Sequence, residues 1–208
     1  MNFPPIYGKK TTALAGALLL CGSMGLAQMS QPSTGPAGQT PGQNNPAMDP
    51  QMNGMQGQAS PMDKMFVAKA MQGGMAEVQL GQLTLQKSND DQVKQFAQHM
   101  IDDHTRMIDQ MKPVAQQLGV AVPNKISKND NKTLARLEGL SGSAYDQAYI
   151  QDMVKDHKQD LSDFQTEASS GQDQTAKDAA NQGSRIISQH LQMIEQIAKD
   201  RNVAMASK

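Results

Sequence analysis

Residues 90–119 read DDQVKQFAQHMIDDHTRMIDQMKPVAQQLG. Val93, Ala97, Met100, His104, Ile108, Met111, Ala115 and Leu118 recur in this stretch at steps of three or four. That period winds a single stripe along an α-helix, whereas a strand would alternate. Gly119 ends the run. Pro113 falls inside it and lacks a backbone donor, which predicts a kink or a local break. One position on the otherwise apolar stripe is a histidine.

The same period continues on both sides. A first helix is predicted from about Pro61 to Lys87, with Ser60 as N-cap, Pro61 at the first helical position and Asp63 in the first turn. Its inner face reads Phe66, Ala70, Gly73, Glu77, Leu80 and Thr84, and a rotated helix would bury Val67, Met71, Gly74, Val78 and Leu85 instead. A connection from Val120 to Gly142 holds one short helix, capped by Ser127 with Asp130 three residues on and anchored by Leu134 and Leu137. A third long helix is expected from about Ser143 to Ser169, with Tyr145, Tyr149, Met153, His157, Leu161, Phe164 and Ala168 inward. A fourth runs from about Asp173 to Arg201, with Ala176, Ala180, Gly183, Ile187, His190, Ile194 and Ile197 inward. Two short links and one long crossover predict an all-α fold. It is a four-helix bundle of ferritin-like connectivity, with the short helix in the crossover between the second and third long helices. Phe96 to His104 also aligns with Tyr149 to His157 at four identical positions of nine, so the two helices present similar faces.

The ends of the chain read differently. Residues 1–27 form a secretory signal: Lys9 and Lys10, a short apolar run from Ala13 to Leu20, then Gly25-Leu26-Ala27 with small residues at −3 and −1. A lipoprotein signal at Leu18-Leu19-Leu20-Cys21 is the competing reading, and the large Leu20 disfavours it. Cleavage after Ala27 removes the single Cys and two lysines, taking the net charge from −1 to −3. Residues 28–60 are a Gln, Pro, Gly, Ser, Asn and Met linker without Leu, Ile, Val, Phe or Tyr, too polar to offset its ordering entropy. Met48, Met52 and Met55 cluster there, and thioethers suit Cu(I), but spacing in such a segment is weak evidence and polar low complexity that happens to be Met-rich is the favoured reading. Residues 202–208 are a tail.

Composition excludes some classes. The 208 residues carry a net charge of −1, which lacks the basic footprint of a nucleic-acid binder. One Cys excludes an internal disulfide framework and a thiolate zinc site. No apolar run reaches the roughly 18 residues of a transmembrane helix.

His104, His157, His190 and Glu77 lie near mid-height on the four inner faces. At 1.5 Å rise per residue their offsets from the helix ends differ by roughly one turn, so antiparallel pairing brings them to one level. Two readings follow. One is a buried hydrogen-bonded layer that sets register, since an interior carboxylate needs partners. The other is a metal site, because three imidazoles and a carboxylate suit copper, zinc or iron. Met100, Met153 and Met193 lie a turn from the histidines and offer soft sulfur, although Met is also a common core filler. Asp103 and Asp156 precede inward histidines at about 100° around the helix, so they are surface groups or carboxylates that orient a ligand from behind. His99 lies off the stripe and is read as solvated.

Phe66 to Gly81, Phe96 to His104, and Leu140-Ser-Gly-Ser-Ala-Tyr145 through His157 resemble the domain of unknown function 4142 family. These are exported bacterial proteins with a ferritin-like bundle, often labelled outer membrane proteins. The resemblance covers about residues 62–200. It implies an exported protein of the periplasm or outer membrane and carries no settled activity. The short Met–His spacing is also similar to another exported helical family linked to copper. Di-iron ferroxidases need Glu-x-x-His pairs, but here Ile101, Val154 and Ile187 precede the inward histidines by three. No nucleophile–base pair or phosphate loop stands out either, so a non-enzymatic role is expected.

Overall fold

The computed structural model describes residues 59–204. The expected signal at 1–27, nearly all of the linker at 28–60 and the last four residues of the tail lie outside them. Among the described residues there are five helices and no strand: α1 (Pro61–Lys87), α2 (Asp91–Leu118), α3 (Lys128–Glu138), α4 (Gly142–Ser170) and α5 (Gln174–Asp200). The caps follow local chemistry. Ser60 and Ser127 each form a reciprocal capping box with the acid three residues later. Asp90 and Asp173, expected as first helical residues, instead accept the first free N–H groups from the cap position.

Cross-helix contacts set the directions. Thr84 meets Tyr145, Glu77 meets His157, and Asp63 reaches Gln172, so α1 and α4 run antiparallel. Asp90 pairs with Arg201, Asp103 with His190, and Gln117 with Thr175, so α2 and α5 do the same. The short turns make α1–α2 and α4–α5 antiparallel as well. In chain order the long helices therefore point up, down, down and up. The 120–141 connection climbs the full height, carrying α3 over the seam of α1 and α4. Lys87 donates to the Glu138 carbonyl there, and Arg136 pairs with Asp152.

Asp63 ties the lower end together. It accepts from the N–H groups of Ser60, Gln172 and Asp173, joining the start of α1 to the α4–α5 turn. Burial pushes its carboxyl up, but the N–H groups of Gln172 and Ser60 outweigh that and hold it below its ordinary range.

Most inward stripes are where periodicity places them. Three details differ. On α1 the buried face is rotated: Val67, Met71 and Gly74 are buried, whereas Phe66, Ala70 and Gly73 are only half-buried, and Glu77 stays inside on either setting. Ile108 on α2, and Leu161 and Ala168 on α4, are also half-buried. The predicted break at Pro113 does not occur. α2 continues through it to Leu118, where Met111, Val114 and Ala115 pack into the lower core and hold the turn in place.

The core is split in two. An upper cluster gathers Phe96, Met100, Tyr145, Tyr149, Met153 and Ile194 with others. Lower clusters gather Val67, Met71, Met111 and Val114, and Phe164, Ala180 and Ile187. Glu77, His104, His157 and His190 fall between them on all four long helices.

Gly81 lets α1 and α2 approach closely. A Cβ there would stand 2.8 Å from Ile101 Cγ1 and 2.9 Å from the Ala97 carbonyl oxygen, which cannot step aside. Gly81→Ala should therefore cost about 1–3 kcal/mol by overpacking. Gly73 has nothing within 4 Å of such a Cβ, so Gly73→Ala should instead stabilise by about 0.5–1 kcal/mol through helix propensity. Urea denaturation of the two variants checks the opposite signs.

Candidate metal centre

His104, His157 and His190 are 3%, 0% and 1% exposed, so each imidazole has lost its water. Each has one ring nitrogen against a polar partner, by hydrogen bond in His157 and His190 and by ion-pair approach in His104. His157 Nδ1 is 3.0 Å from the Met153 carbonyl oxygen one turn back, and a carbonyl can only accept, so Nδ1 carries the proton. His190 Nε2 lies 2.9 Å from Asp103 Oδ2 across the α2–α5 seam. His104 Nδ1 lies 2.9 Å from Glu77 Oε2 across the α1–α2 seam, an ion-pair approach between two buried groups.

The remaining ring nitrogens are His104 Nε2, His157 Nε2 and His190 Nδ1. All three are buried without a partner. On His157, whose Nδ1 carries the proton, and on His190 when its Nε2 donates to Asp103, the unpartnered nitrogen is a lone pair, and lone pairs cannot satisfy one another. The ring centroids are only 5.3–6.1 Å apart. One ring nitrogen of each residue lies within 4.8 Å of those of the other two. A tetrahedral ion at about 2.0–2.1 Å from each nitrogen needs separations of about 3.3–3.5 Å, so binding would draw the rings inward by roughly an ångström. Phe96 covers the group from above, with its ring centroid 6.2 Å from that of His157 and 6.3 Å from that of His190.

Electrostatics keeps the rings neutral, as ligands must be. Burial pushes all three down to about 4, against the opposing pull of Asp103 on His104 and His190 and of Glu77 on His157. Burial likewise pushes the Glu77 carboxyl up to about 7, with His157 acting the other way.

The expected residues are thus brought to one level with different roles. The three histidines form the converging group. Glu77, expected as a fourth ligand, stands on the engaged nitrogen of His104, behind the ring, and its Oε1 has no partner. Its helix is rotated so that the carboxyl meets α2 and α4 from the side. Asp103, on the half-exposed flank of α2, holds His190 from the next helix. Met100 and Met153 are fully buried within the upper apolar cluster, and Met193 packs half-buried at its edge. His99 is exposed, as expected.

A cavity of about 510 Å³ beside the centre had no counterpart in the sequence reading. It reaches Glu77 and His104 at its inner end. Asp160 and Asp163 of α4 line it, as does Asp130 near the start of α3. The available signal was the carboxylates at 152, 156, 160, 163 and 167, spaced by three and four along one face of α4.

A family profile described as a domain of unknown function, DUF4142, matches residues 49–197. The chain belongs to the DUF4142 family. The match begins twelve residues before α1, within the stretch read as linker. The DUF4142 chain is also similar in fold to two solved structures. One is a DUF305 fragment from Deinococcus radiodurans, at 15% identity and TM-score 0.60, covering 68% of this chain and 98% of that one. The other, from Streptomyces coelicolor, is described as a secreted DUF305 protein, at 11% identity and TM-score 0.61, covering 71% and 98%. No curated protein matches the chain.

Two measurements probe this environment. In metal-free protein at pH 6, ¹⁵N NMR should find all three rings neutral, with the proton on Nδ1 of His157 and on Nε2 of His190. Charged imidazolium signals at that pH would contradict the burial argument. Asp160 supplies the second. Burial first, then repulsion from Glu77, Asp156 and Asp163, pushes its carboxyl up to about 8. A raised carboxyl favours the folded state at low pH, and this contribution is lost as pH rises towards 8. Asp160→Asn should therefore stabilise more at pH 8.5 than at pH 5 in urea melts.

Proposed function

We propose that this DUF4142 chain is an exported, non-enzymatic protein of the cell envelope. In this reading it is a four-helix bundle of ferritin-like connectivity whose His104, His157 and His190 hold one divalent transition-metal ion. The observation that carries the proposal is the set of three buried ring nitrogens without partners. Leaving one buried acceptor unmade costs about 1–3 kcal/mol. Three facing one another imply a shared electrophile.

The surroundings fit a divalent ion. The donors are three neutral imidazoles, and two carboxylates, Glu77 and Asp103, stand directly behind two of them. Such carboxylate–histidine pairs fix the tautomer, strengthen the ligand and here match two positive charges. Copper and zinc suit an imidazole set, whereas non-haem iron commonly takes a carboxylate into its first coordination sphere. The same charge match favours a divalent ion over Cu(I), and packing already accounts for the neighbouring Met100 and Met153.

A non-catalytic role agrees with how closed the centre is. Phe96 covers it above, and the His104–Glu77 pair separates it from the neighbouring cavity. Export rests on the signal read at residues 1–27 and agrees with the description of the Streptomyces neighbour as secreted. Among the described residues no helix is long and apolar enough to cross a membrane.

A second reading is a metal-free layer that fixes helix register. It is favoured by the hydrogen bonds of His157 and His190, at 3.0 and 2.9 Å, and by the 2.9 Å approach of Glu77 to His104, which already engage one nitrogen of each ring. Calorimetric titration and metal analysis of the purified chain with Cu²⁺ and Zn²⁺ separate the two. The metal reading expects one ion per chain and a raised melting temperature by mass action. Replacing any of the three histidines with Ala should abolish binding, and Asp103→Asn or Glu77→Gln should weaken it by about 10–100-fold. No binding, or unchanged binding after all three histidines are replaced, leaves the register layer as the function of these residues.

A further inference from the structure

A centre this deeply buried needs a way in. The three rings expose at most 3% of their surface, and Phe96 closes one side. The 510 Å³ cavity is in contact with it, lined at the inner end by Glu77 and His104. A second cavity, between α4 and α5 near Val154 and Ala198, touches none of the three rings.

Building on the metal reading above, we infer that the cavity lined by Asp160, Asp163 and Glu77 is the passage by which the ion reaches the histidines. Glu77 is its inner relay. Four features support this. At the outer end, Met62 and Met65 are 63% and 59% exposed, placing thioethers at the start of α1 where the cavity begins. Along the wall stand the acids Asp130, Asp160 and Asp163, of which Asp160 is fully ionised only above about pH 8, with Lys69 pairing to Asp163 at 3.4 Å. Walls of one dominant sign raise local cation concentration and speed association.

At the inner end, the Glu77 side chain is only 8% exposed, and its Oε1 is buried without a hydrogen bond, 3.6 Å from His157 Nδ1, while Oε2 stands 2.9 Å from His104 Nδ1. A carboxylate with one free oxygen at the end of a cavity can take an ion from it. Its other oxygen is already on the ring that must swing to admit that ion. The fourth feature is Gly73. Glycine is a poor helix former, and packing does not require it here, since a Cβ would meet nothing within 4 Å. Gly73 lines the cavity, so what its missing side chain preserves is open space.

The test fills that space. Gly73→Leu adds a side chain to the void and improves local helix propensity. The full chain, metal-free, is mixed with Cu²⁺ in a stopped-flow instrument and followed by the ligand-field absorption of the bound ion. Gly73→Leu should slow association by roughly tenfold or more and slow dissociation equally, leaving Kd unchanged, since a barrier alters rates and not equilibrium. An independent variant carries the same prediction should the leucine disturb folding. Asp160→Asn with Asp163→Asn should slow association at low salt, with the difference fading as salt screens the walls. Association at the original rate in both variants overturns the passage while leaving the metal centre intact. Failure of the unaltered chain to bind Cu²⁺ overturns both.

Discussion

Three imidazoles brought to one level of a dry interior are the constraint around which the helices are organised. Placing them there removes three polar rings from water, and each must be repaid by a partner on its other nitrogen. Those partners come from three different places: the Met153 carbonyl on the same helix, Asp103 across the α2–α5 seam, and Glu77 across the α1–α2 seam. Two of the three bonds cross between helices, so the layer ties α2 to α1 and to α5 at one level. A slip of one residue in either pair would turn a polar group into an apolar cluster.

The apolar core is divided accordingly. Above the layer, Phe96, Tyr149 and Met153 close over it. Below, α1 leaves space beside the layer at Gly73, where a Cβ would meet nothing within 4 Å. The cavity is the result. Burial first and neighbouring acids second raise Asp160 on its wall to about 8, and Asp156, one turn earlier on α4, to about 6. That electrostatic tension in the metal-free molecule would be relieved by a cation. The polar layer and the acid-lined cavity meet at a single side chain, Glu77.

Much of this was legible in the amino-acid order. Periodicity of three and four, Ser60 and Ser127 as caps, and Gly119 as a stop placed the helices almost to the residue. Three histidines on apolar stripes placed the layer. The setting of α1 was legible only as a choice, because its pattern of small and apolar residues supports two neighbouring faces: Phe66, Ala70 and Gly73, or Val67, Met71 and Gly74. The structure buries the second set in the lower half of the helix and keeps Leu80 and Thr84 buried above. Pro113 misled because a proline weakens a helix locally, whereas the packing of Met111, Val114 and Ala115 is a property of the whole fold.

The sequence by itself determined which residues are helical, which face of each helix is apolar, and that a histidine or glutamate interrupts every long stripe at mid-height. These are local properties, set by backbone geometry and by the cost of exposing apolar surface. Only the tertiary structure decided which nitrogen of each ring is engaged, that Glu77 stands behind His104 and that Asp103 serves a histidine on another helix. It also decided that a cavity opens beside the centre. Those depend on rotation and separation of neighbouring helices by an ångström or two, and such distances follow from how all the side chains pack together, not from the order in which they occur.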